Sequence, residues 1–218
     1  KSISLEERES FIDSVLHYYT QSVKYDKNNP VYNRRLTLMN LEKLSIIVEK
    51  YPHLDDEEEA KAALGADISK WRNSLVDSVK KCVDYSPNVY ANLDLQTKVY
   101  LALVGMGFYG YTPDATSALE KAIEFNPLNY ELYYGMAQIS LMNNDKDTSL
   151  QQLMKVLSIN PQHVPTILLA GDINKEKGNT DIYESYLKAA KKILEVQGST
   201  NLEIYGNISK ELTKLELN

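Results

Sequence analysis

The sequence predicts an all-α fold, built as a solenoid of antiparallel helix pairs and closed at its C-terminal end by one further helix. Similar helix-ending segments recur along the chain, and three of them are followed by a proline. The last segment carries apolar residues at helical spacing. Runs of β-branched residues bounded by glycine, which are typical of strands, are scarce.

The recurring segments set the period of the fold. Each reads Lys, a small or β-branched residue, an aliphatic residue, a polar residue, an apolar residue, Ser or Asn, and Pro, over residues 81–87, 121–127 and 155–161. Pro127 and Pro161 are 34 residues apart, whereas Pro87 and Pro127 are 40 apart, so the unit before Pro127 carries an insertion of 6 residues. Residues 24–29 look like a fourth, degenerate copy without the proline. Such a period indicates helical hairpins that bury their apolar faces only by stacking on their neighbours.

The period and the positions within it resemble the tetratricopeptide repeat (TPR) family. In the unit that starts at Tyr130, Tyr133 takes the family's large first-helix position, and Met136 and Ala137 take its Leu-Gly pair. The resemblance implies a right-handed superhelical solenoid, in which the packing positions of the second helices are buried. Those positions are Leu75, Val79, Cys82, Ala115, Leu119, Ala122, Ser149, Leu153, Val156, Tyr183, Leu187 and Ala190.

We predict three regions. A degenerate helical repeat with an acidic insertion covers residues 1–65, TPR-like repeats cover 66–197, and a capping helix covers 198–218. The acidic run at 55–59 is typical of a solvated helix start, because acidic residues favour the first turn of a helix. The capping helix carries one apolar face, formed by Ile204, Ile208, Leu212 and Leu215.

Several helix ends are marked by capping residues. Ser4 with Glu7, and Thr200 with Glu203, form the pattern of a capping box. A cap residue precedes an N1 proline at two further places, Asn29 with Pro30 and Thr112 with Pro113. We also expect a turn at Gly178 and Asn179, and close helix packing at Gly105 and Gly107.

Composition and motifs disfavour several classes of function. The net charge is −6 and no basic stripe is present, so we predict no nucleic acid partner. The histidines His17, His53 and His163 have no partners at metal-ligand spacing, and Cys82 is predicted to be a buried, inert thiol. No nucleophile elbow, phosphate loop, zinc-protease motif or carboxylate pair is present. We therefore predict no enzymatic activity, no cofactor, no metal and no membrane-spanning segment in these residues.

The TPR resemblance implies a binding groove. In that family the inner wall is formed mostly by the first helix of each unit. The predicted groove here consists of Tyr100, Leu101, Val104, Glu131, Tyr134, Gln138, Leu168, Leu169 and Asp172. Apolar and tyrosine side chains with a few polar anchors suit a protein or peptide segment, extended or helical. Alternatively, these residues pack on a neighbouring helix or on the C-terminal cap.

Two observations from the sequence bear on which ligand binds. Part of the TPR family clamps a partner's C-terminal carboxylate with Lys, Arg and Asn. The corresponding positions here carry Tyr134, Gln138, Leu168 and Asp172, which disfavours that mode. The 16 tyrosines also suggest an alternative, a glycan-binding surface, because sugars stack on aromatic rings.

A second resemblance concerns the setting of the domain. Residues 26–32, the long interrupted helical insertion and Trp71 resemble the soluble TPR tail of bacterial membrane proteins in the O-antigen ligase and polymerase group. This resemblance implies an accessory role in envelope polysaccharide assembly, as part of a membrane-embedded parent chain. The sequence leaves the localisation open between the cytoplasm and the soluble part of a bacterial membrane protein.

Overall fold

The structure, a computed structural model, describes residues 4–50 and 58–217, and within these ranges every regular element is a helix. The chain divides into two compact units, Lys1–Phe125 and Asn126–Asn218. The first unit contains α1 (Leu5–Tyr25), α2 (Pro30–Lys50), α3 (Glu58–Tyr85), α4 (Tyr90–Gly105) and α5 (Thr112–Phe125), with a 3-10 turn at Tyr109–Tyr111. The second contains α6 (Tyr130–Met142), α7 (Lys146–Ile159), α8 (Val164–Glu176), α9 (Thr180–Val196) and α10 (Glu203–Glu216).

Consecutive helices form hairpins. Only residues 143–145 join α6 to α7, and only residues 177–179 join α8 to α9, yet each pair packs extensively, so the two helices of a pair run antiparallel. Helix α7 also packs on α8, and α9 on α10. We call α2, α4, α6 and α8 first helices, and α3, α5, α7 and α9 second helices. The predicted all-α fold of TPR-type helix pairs with a terminal helix is confirmed.

The predicted packing positions of the second helices form the core. All twelve are at most 4% exposed. Small residues such as Ser149, Ala122 and Ala190 alternate with Leu and Val, and this lets two helices approach closely while larger side chains fill the flanks. The buried apolar surface between helices is the main source of stability, because isolated helices of 13 or 14 residues are marginal in water.

Gly171 shows how closely the helices of one pair approach. A Cβ atom placed on Gly171 of α8 would lie 3.1 Å from the Cβ of Tyr186 and 3.4 Å from Cδ2 of Tyr183, both on α9. The glycine therefore stands where a side chain would push the second helix away. Together with Ala170, it occupies the position that the resemblance assigns to the family's Leu-Gly pair.

The six extra residues of the unit before Pro127 lie at the end of its first helix. Helix α4 has 16 residues against 13 in α6, and six residues, 106–111, join α4 to α5 against three between α6 and α7. Three residues in the helix and three in the connection account for the insertion. The connection begins after Gly105, and Gly107 takes a φ of 92°. The two glycines thus end a helix, and the expected close packing at them is wrong, since no atom lies within 4 Å of a Cβ placed on either.

Two predicted helix starts are confirmed. Ser4 Oγ accepts a hydrogen bond from Glu7 N at 3.2 Å, and Glu7 Oε2 accepts one from Ser4 N at 2.9 Å, completing the capping box. Asn29 Oδ1 accepts hydrogen bonds from Val31 N and Tyr32 N, so α2 begins at Pro30 as expected. The turn at Gly178 is also confirmed by its φ of 81°.

Two other helix starts differ from the prediction. The capping box at Thr200 does not form: α10 begins at Glu203, and its N-cap residue is Leu202, which makes no side-chain capping bond. The turn after α9 is closed through Gly198, with a φ of 67°, and the Ser199 N–H donates to Leu194 O at 2.8 Å, so the chain reaches helical geometry later. Helix α5 begins at Thr112 itself, because the preceding 3-10 turn already sets its direction.

Helix α10 covers the C-terminal end of the second unit. Ile208 and Leu212 are buried in a cluster with residues of α8 and α9, and Leu215 packs beside them. Ile204 lies at the edge of this face and is 37% exposed. The opposite face is exposed and polar, with Lys210, Thr213 and Lys214. The predicted capping helix is confirmed.

Ion pairs attach α1 to α2 in the first unit. Lys43 is nearly buried, with 7% of its side chain exposed, and its Nζ lies 2.9 Å from Glu9 Oε1 and 2.6 Å from Asp13 Oδ1. Glu9 also pairs with Lys50. Hydrogen bonds from Lys50 and Lys43 hold the pKa of Glu9 below its usual range. A nearly buried cation needs such partners, because losing them would leave it desolvated and unpaired.

The division of the chain at residues 65 and 197 stays a prediction. Helix α3 begins at Glu58 and continues through residue 65 without a break. Of the predicted acidic helix start at 55–59, residues 55–57 lie outside the described residues, as does His53.

Truncating a core residue tests the packing. We expect Leu153→Ala, at a fully buried position of α7, to lower the free energy of unfolding by about 2–5 kcal/mol, since it removes buried methyl groups and leaves a cavity. The neighbouring Met154 is 49% exposed, and Met154→Ala should change the free energy of unfolding by less than about 1 kcal/mol. Urea denaturation of both variants measures the difference. Equal losses would contradict this assignment of the core.

The Glu9 ion pairs predict a pH-dependent stability difference. Because the folded-state pKa of Glu9 is lowered, its contribution is present above its ordinary pKa and is lost as pH falls through the lowered value. Glu9→Gln should therefore be less stable than the wild type at neutral pH, and the gap should close as pH falls through the lowered pKa of Glu9. Thermal denaturation across pH measures it; a gap independent of pH would be contrary to the prediction.

Candidate segment-binding clefts

The first three residues of the predicted groove lie in the first unit, and two of them are buried. Tyr100 is 2% exposed and Val104 is 1% exposed, while Leu101 is half-buried. The Tyr100 ring stacks on that of Tyr111 with centroids 6.0 Å apart, and burial raises the pKa of its hydroxyl. Tyr100 and Val104 are therefore core residues in this structure.

The reason is the place of the six-residue insertion. Tyr100 and Val104 lie 34 residues before Tyr134 and Gln138. Their assignment to the groove therefore required the six inserted residues to precede residue 100. Counted forward from the start of α4 instead, Ala91, Asp94 and Lys98 take the positions that Glu131, Tyr134 and Gln138 take in α6. Sequence analysis missed these three residues. A longer α4, with the insertion at its C-terminal end, would have assigned them to the groove.

Ala91, Asp94 and Lys98 line a cleft of about 360 Å³ between α2 and α4. We call it the α2–α4 cleft; it is lined by Val31, Arg34, Arg35, Leu38, Ala91, Asp94, Leu95 and Lys98. Its floor is apolar, with Leu95 only 5% exposed. Its rim is basic.

The charges on this rim are partly fixed in place. Lys98 Nζ lies 2.8 Å from Asp94 Oδ2, so these two charges offset one another. Arg34 Nη1 donates a hydrogen bond of 3.2 Å to Asn92 Oδ1. The guanidinium of Arg35 is exposed on the same side of α2. The only carboxylate of the lining, Asp94, is paired with Lys98, so it does not offset the charges of Arg34 and Arg35. The cleft therefore favours anionic groups.

Buried asparagines hold the starts of α2 and α4. Asn92 is 1% exposed, and its Nδ2 donates to Cys82 O at 2.7 Å and to Ser86 O at 3.1 Å. Asn33 makes equivalent bonds of 2.9 Å to Lys27 O and Asn29 O. Each amide thus ties a first helix to the preceding turn. The signal in the sequence is an Asn, a poor helix former, just inside a predicted helix start.

The other six predicted residues lie in the second unit, and they separate into two groups. Glu131, Gln138 and Asp172 are exposed. The half-buried side chains are Tyr134, Leu168 and Leu169. Tyr134 and Leu169 pack on a buried cluster of Ala137, Leu153, Ala170 and Ile173, so both of them also support the core.

An aromatic cluster surrounds the start of α8. The His163 ring lies 5.3 Å from that of Tyr134 and 5.1 Å from that of Tyr130, and its Nδ1 is 2.6 Å from Thr166 Oγ1. Burial lowers the pKa of His163, although the charge of Glu131 opposes the shift. A histidine in this setting is neutral at physiological pH and serves packing.

Leu168 and Asp172 line a second cleft, of about 370 Å³, between α8 and α10. We call it the α8–α10 cleft; its lining is Leu168, Asp172, Lys175, Tyr183, Leu187, Ile204, Asn207, Ile208 and Glu211. Lys175 Nζ lies 2.6 Å from Glu211 Oε1. This pair raises the pKa of Lys175 and lowers that of Glu211, so both stay charged.

The structure locates the single cysteine, and it allows a search of the described residues for a metal site and for a membrane-spanning helix. Cys82 is buried, and burial raises the pKa of its thiol, which keeps it protonated, as predicted. Within residues 4–50 and 58–217, no three His, Cys, Asp or Glu side chains converge as metal ligands would. In the same part of the chain, no helix combines the length and the apolar character needed to cross a membrane.

One stretch of the sequence matches a known repeat. Residues 118–151 match the family model of the tetratricopeptide repeat. The chain carries a tetratricopeptide repeat. Comparison with curated proteins gives no match.

Solved structures of TPR proteins share the fold along most of the chain. MamA is similar with a TM-score of 0.60 and 19% identity, covering 91% of this chain and 99% of MamA. TTC0263, a thermophilic TPR protein of Thermus thermophilus, gives 0.59 and 17%, covering 93% and 91%. YrrB, described as a TPR protein with an unusual peptide-binding site, gives 0.51 and 17%, covering 88% and 97%. At these identities the likeness establishes the fold.

Removing the Asn92 amide tests its role at the α2–α4 cleft. Asn92→Ala leaves two buried carbonyl groups without their donor, and we expect the free energy of unfolding to fall by about 1–3 kcal/mol. Ser74→Ala, at an exposed position of α3, is the matched control and should change it by less than about 0.5 kcal/mol. Chemical denaturation monitored by circular dichroism gives both values. A loss at Asn92 no larger than at Ser74 would refute the structural role of the amide.

Proposed function

We propose that this TPR-fold chain is a non-catalytic protein-interaction scaffold, which binds a segment of a partner protein on the exposed faces of its first helices. One observation carries the proposal. Gln138 of α6 and Asp172 of α8 occupy the same position in successive repeats, and both are exposed. The apolar side chain of Leu168 is half-buried and lies one turn before Asp172. The packing positions of the second helices, by contrast, are buried in the core.

A surface of this composition suits recognition of a protein segment. Half-buried apolar side chains such as Leu168 supply contact area, and exposed polar ones such as Gln138 and Glu131 supply orientation. Helices α6 and α8 are successive first helices of the second unit, so a bound strand or helix meets equivalent positions on both. The peptide-binding site ascribed to YrrB is in keeping with such a use of the fold.

The environment of the reactive side chains supports a scaffold rather than an enzyme. Cys82 is buried in the core, and His163 is half-buried between the rings of Tyr130 and Tyr134. Their pKa values shift toward the neutral forms. The accessory role in envelope polysaccharide assembly and the glycan-binding surface stay predictions from the sequence.

A matched pair of variants tests the proposal. Gln138→Arg places a long charged side chain on the exposed face of α6, whereas Gln151→Arg makes the same change on the exposed face of second helix α7. Each variant serves as bait in native lysate, and mass spectrometry identifies the retained proteins. We expect the binding of a specific partner to weaken by about tenfold or more in Gln138→Arg and to be unchanged in Gln151→Arg. Purified partner and bait then give the dissociation constants.

The proposal fails if no partner distinguishes the two variants. Circular dichroism and melting temperature should be equal for both, because the two glutamines are exposed and neither replacement enters the core. A difference in folding would be corrected by repeating the pair as Gln138→Lys and Gln151→Lys.

A further inference from the structure

We infer that the α8–α10 cleft binds a lysine or arginine side chain of the partner segment. This inference rests on the proposed function and narrows it, because it states the chemistry of one residue in the ligand. Three features of the cleft carry it: apolar walls, an excess of negative charge, and one carboxylate that no cation of the described residues pairs with.

The walls of the cleft suit the methylene stem of a long basic side chain. Leu168 of α8 and Ile204 of α10 contribute accessible apolar surface around a space of about 370 Å³, whereas Leu187 of α9 is only 4% exposed. Ile204 keeps 37% of its surface exposed, so the space opens to solvent beside it. Lysine and arginine bury such stems along apolar surface while their charged ends reach polar groups.

The charges at the end of the cleft leave room for one more cation. Asp172 and Glu211 are acidic, and Lys175 is the basic residue of the lining. Glu211 Oε1 already lies 2.6 Å from Lys175 Nζ and also accepts a hydrogen bond of 3.4 Å from the Tyr183 hydroxyl. The sum of these charges is negative, so the cleft attracts cations and repels carboxylate or phosphate groups.

Asp172 is the carboxylate that the cleft leaves available to a ligand. Its side chain makes no hydrogen bond or ion pair with the part of the chain that the structure describes, whereas its neighbour Lys175 is directed to Glu211. Burial raises the pKa of Asp172, and the nearby charges of Glu176 and Glu211 add to this, although Lys175 opposes it. The carboxylate is exposed, so a ligand cation can reach it from solvent.

Arginine fits this arrangement better than a neutral residue of the same shape. Its planar guanidinium can donate two parallel hydrogen bonds to the Asp172 carboxylate. The exposed amide of Asn207 lies on the same lining and can bind the backbone of the ligand. An arginine flanked by leucines would therefore place its cation, its stem and its backbone against matching groups.

The test compares two peptides on the ¹⁵N-labelled full chain. The probes are Ac-Leu-Arg-Leu-NH₂ and the same peptide with citrulline, which keeps the shape of arginine but carries no charge. We expect the arginine peptide to shift the amide signals of Asp172, Asn207 and Glu211, and the citrulline peptide to bind about tenfold more weakly or not at all. Asp172→Asn should remove this preference. Asp181→Asn, at an exposed carboxylate of α9, should keep it.

Stability provides a readout that a purely structural role would not give. Because no cation of the described residues forms an ion pair with Asp172 and the pKa of Asp172 is raised, Asp172→Asn should leave the melting temperature at neutral pH equal or higher while binding is lost. Should that variant fold poorly, Asp172→Glu keeps the charge, and its retained preference for arginine would support the inference.

Three outcomes would overturn the inference: equal binding of both peptides, unchanged preference in Asp172→Asn, or no shifts at these residues with either peptide. Failure here is distinguishable from failure of the proposed function. If a partner is lost by Gln138→Arg but the arginine peptide does not bind, segment binding stands and the role of Asp172 falls.

Discussion

The close approach of paired helices is the constraint on which the rest of this structure depends. Ser149, Ala122 and Ala190 let second helices lie against first helices, and Gly171 allows α9 to approach α8 to within 3.1 Å of where a Cβ would stand. Within each unit, a helix hairpin is also covered by a neighbouring helix, as α3 packs on α4 and α7 packs on α8. The packing positions are buried between helices, so differences in charge between the repeats are confined to the exposed faces and helix ends.

The clefts of the two units differ in the charge of their linings. In the α2–α4 cleft, Asp94 and Lys98 neutralise each other and Arg34 and Arg35 leave a basic rim. In the α8–α10 cleft, the equivalent positions of α8 carry Leu168 and Asp172, and the lining is acidic. At one place in the repeat, α4 therefore carries Lys98 and α8 carries Asp172, which are opposite in charge, while the packing positions of the second helices are buried. A repeat fold can thus read different ligand chemistry at each unit without altering its core.

Polar groups in the interior are used to define the ends of helices rather than to make a site. Asn33 and Asn92 bond to carbonyl groups of the preceding turns, and Lys43 is satisfied by Glu9 and Asp13. These groups have their partners within the fold. Asp172 differs, since its neighbour Lys175 is directed to Glu211. Asp172 is also exposed rather than interior, which leaves its carboxylate accessible to the ligand cation inferred above.

By itself, the sequence determined the helical period, the twelve packing positions and the amphipathic face of α10, because these depend on spacing within a helix and on residue size. It also determined the cap at Ser4, which is a contact between residues three apart. Only the tertiary structure decided where the six extra residues lie, and hence that Tyr100 and Val104 are buried while Asp94 and Lys98 face a cleft. The tertiary structure alone also decided that Lys175 pairs with Glu211, 36 residues away, rather than with the nearby Asp172. The physical reason is the same in both cases: an insertion can be absorbed anywhere in a unit, and a charge can pair with any neighbour, until packing brings particular helices together.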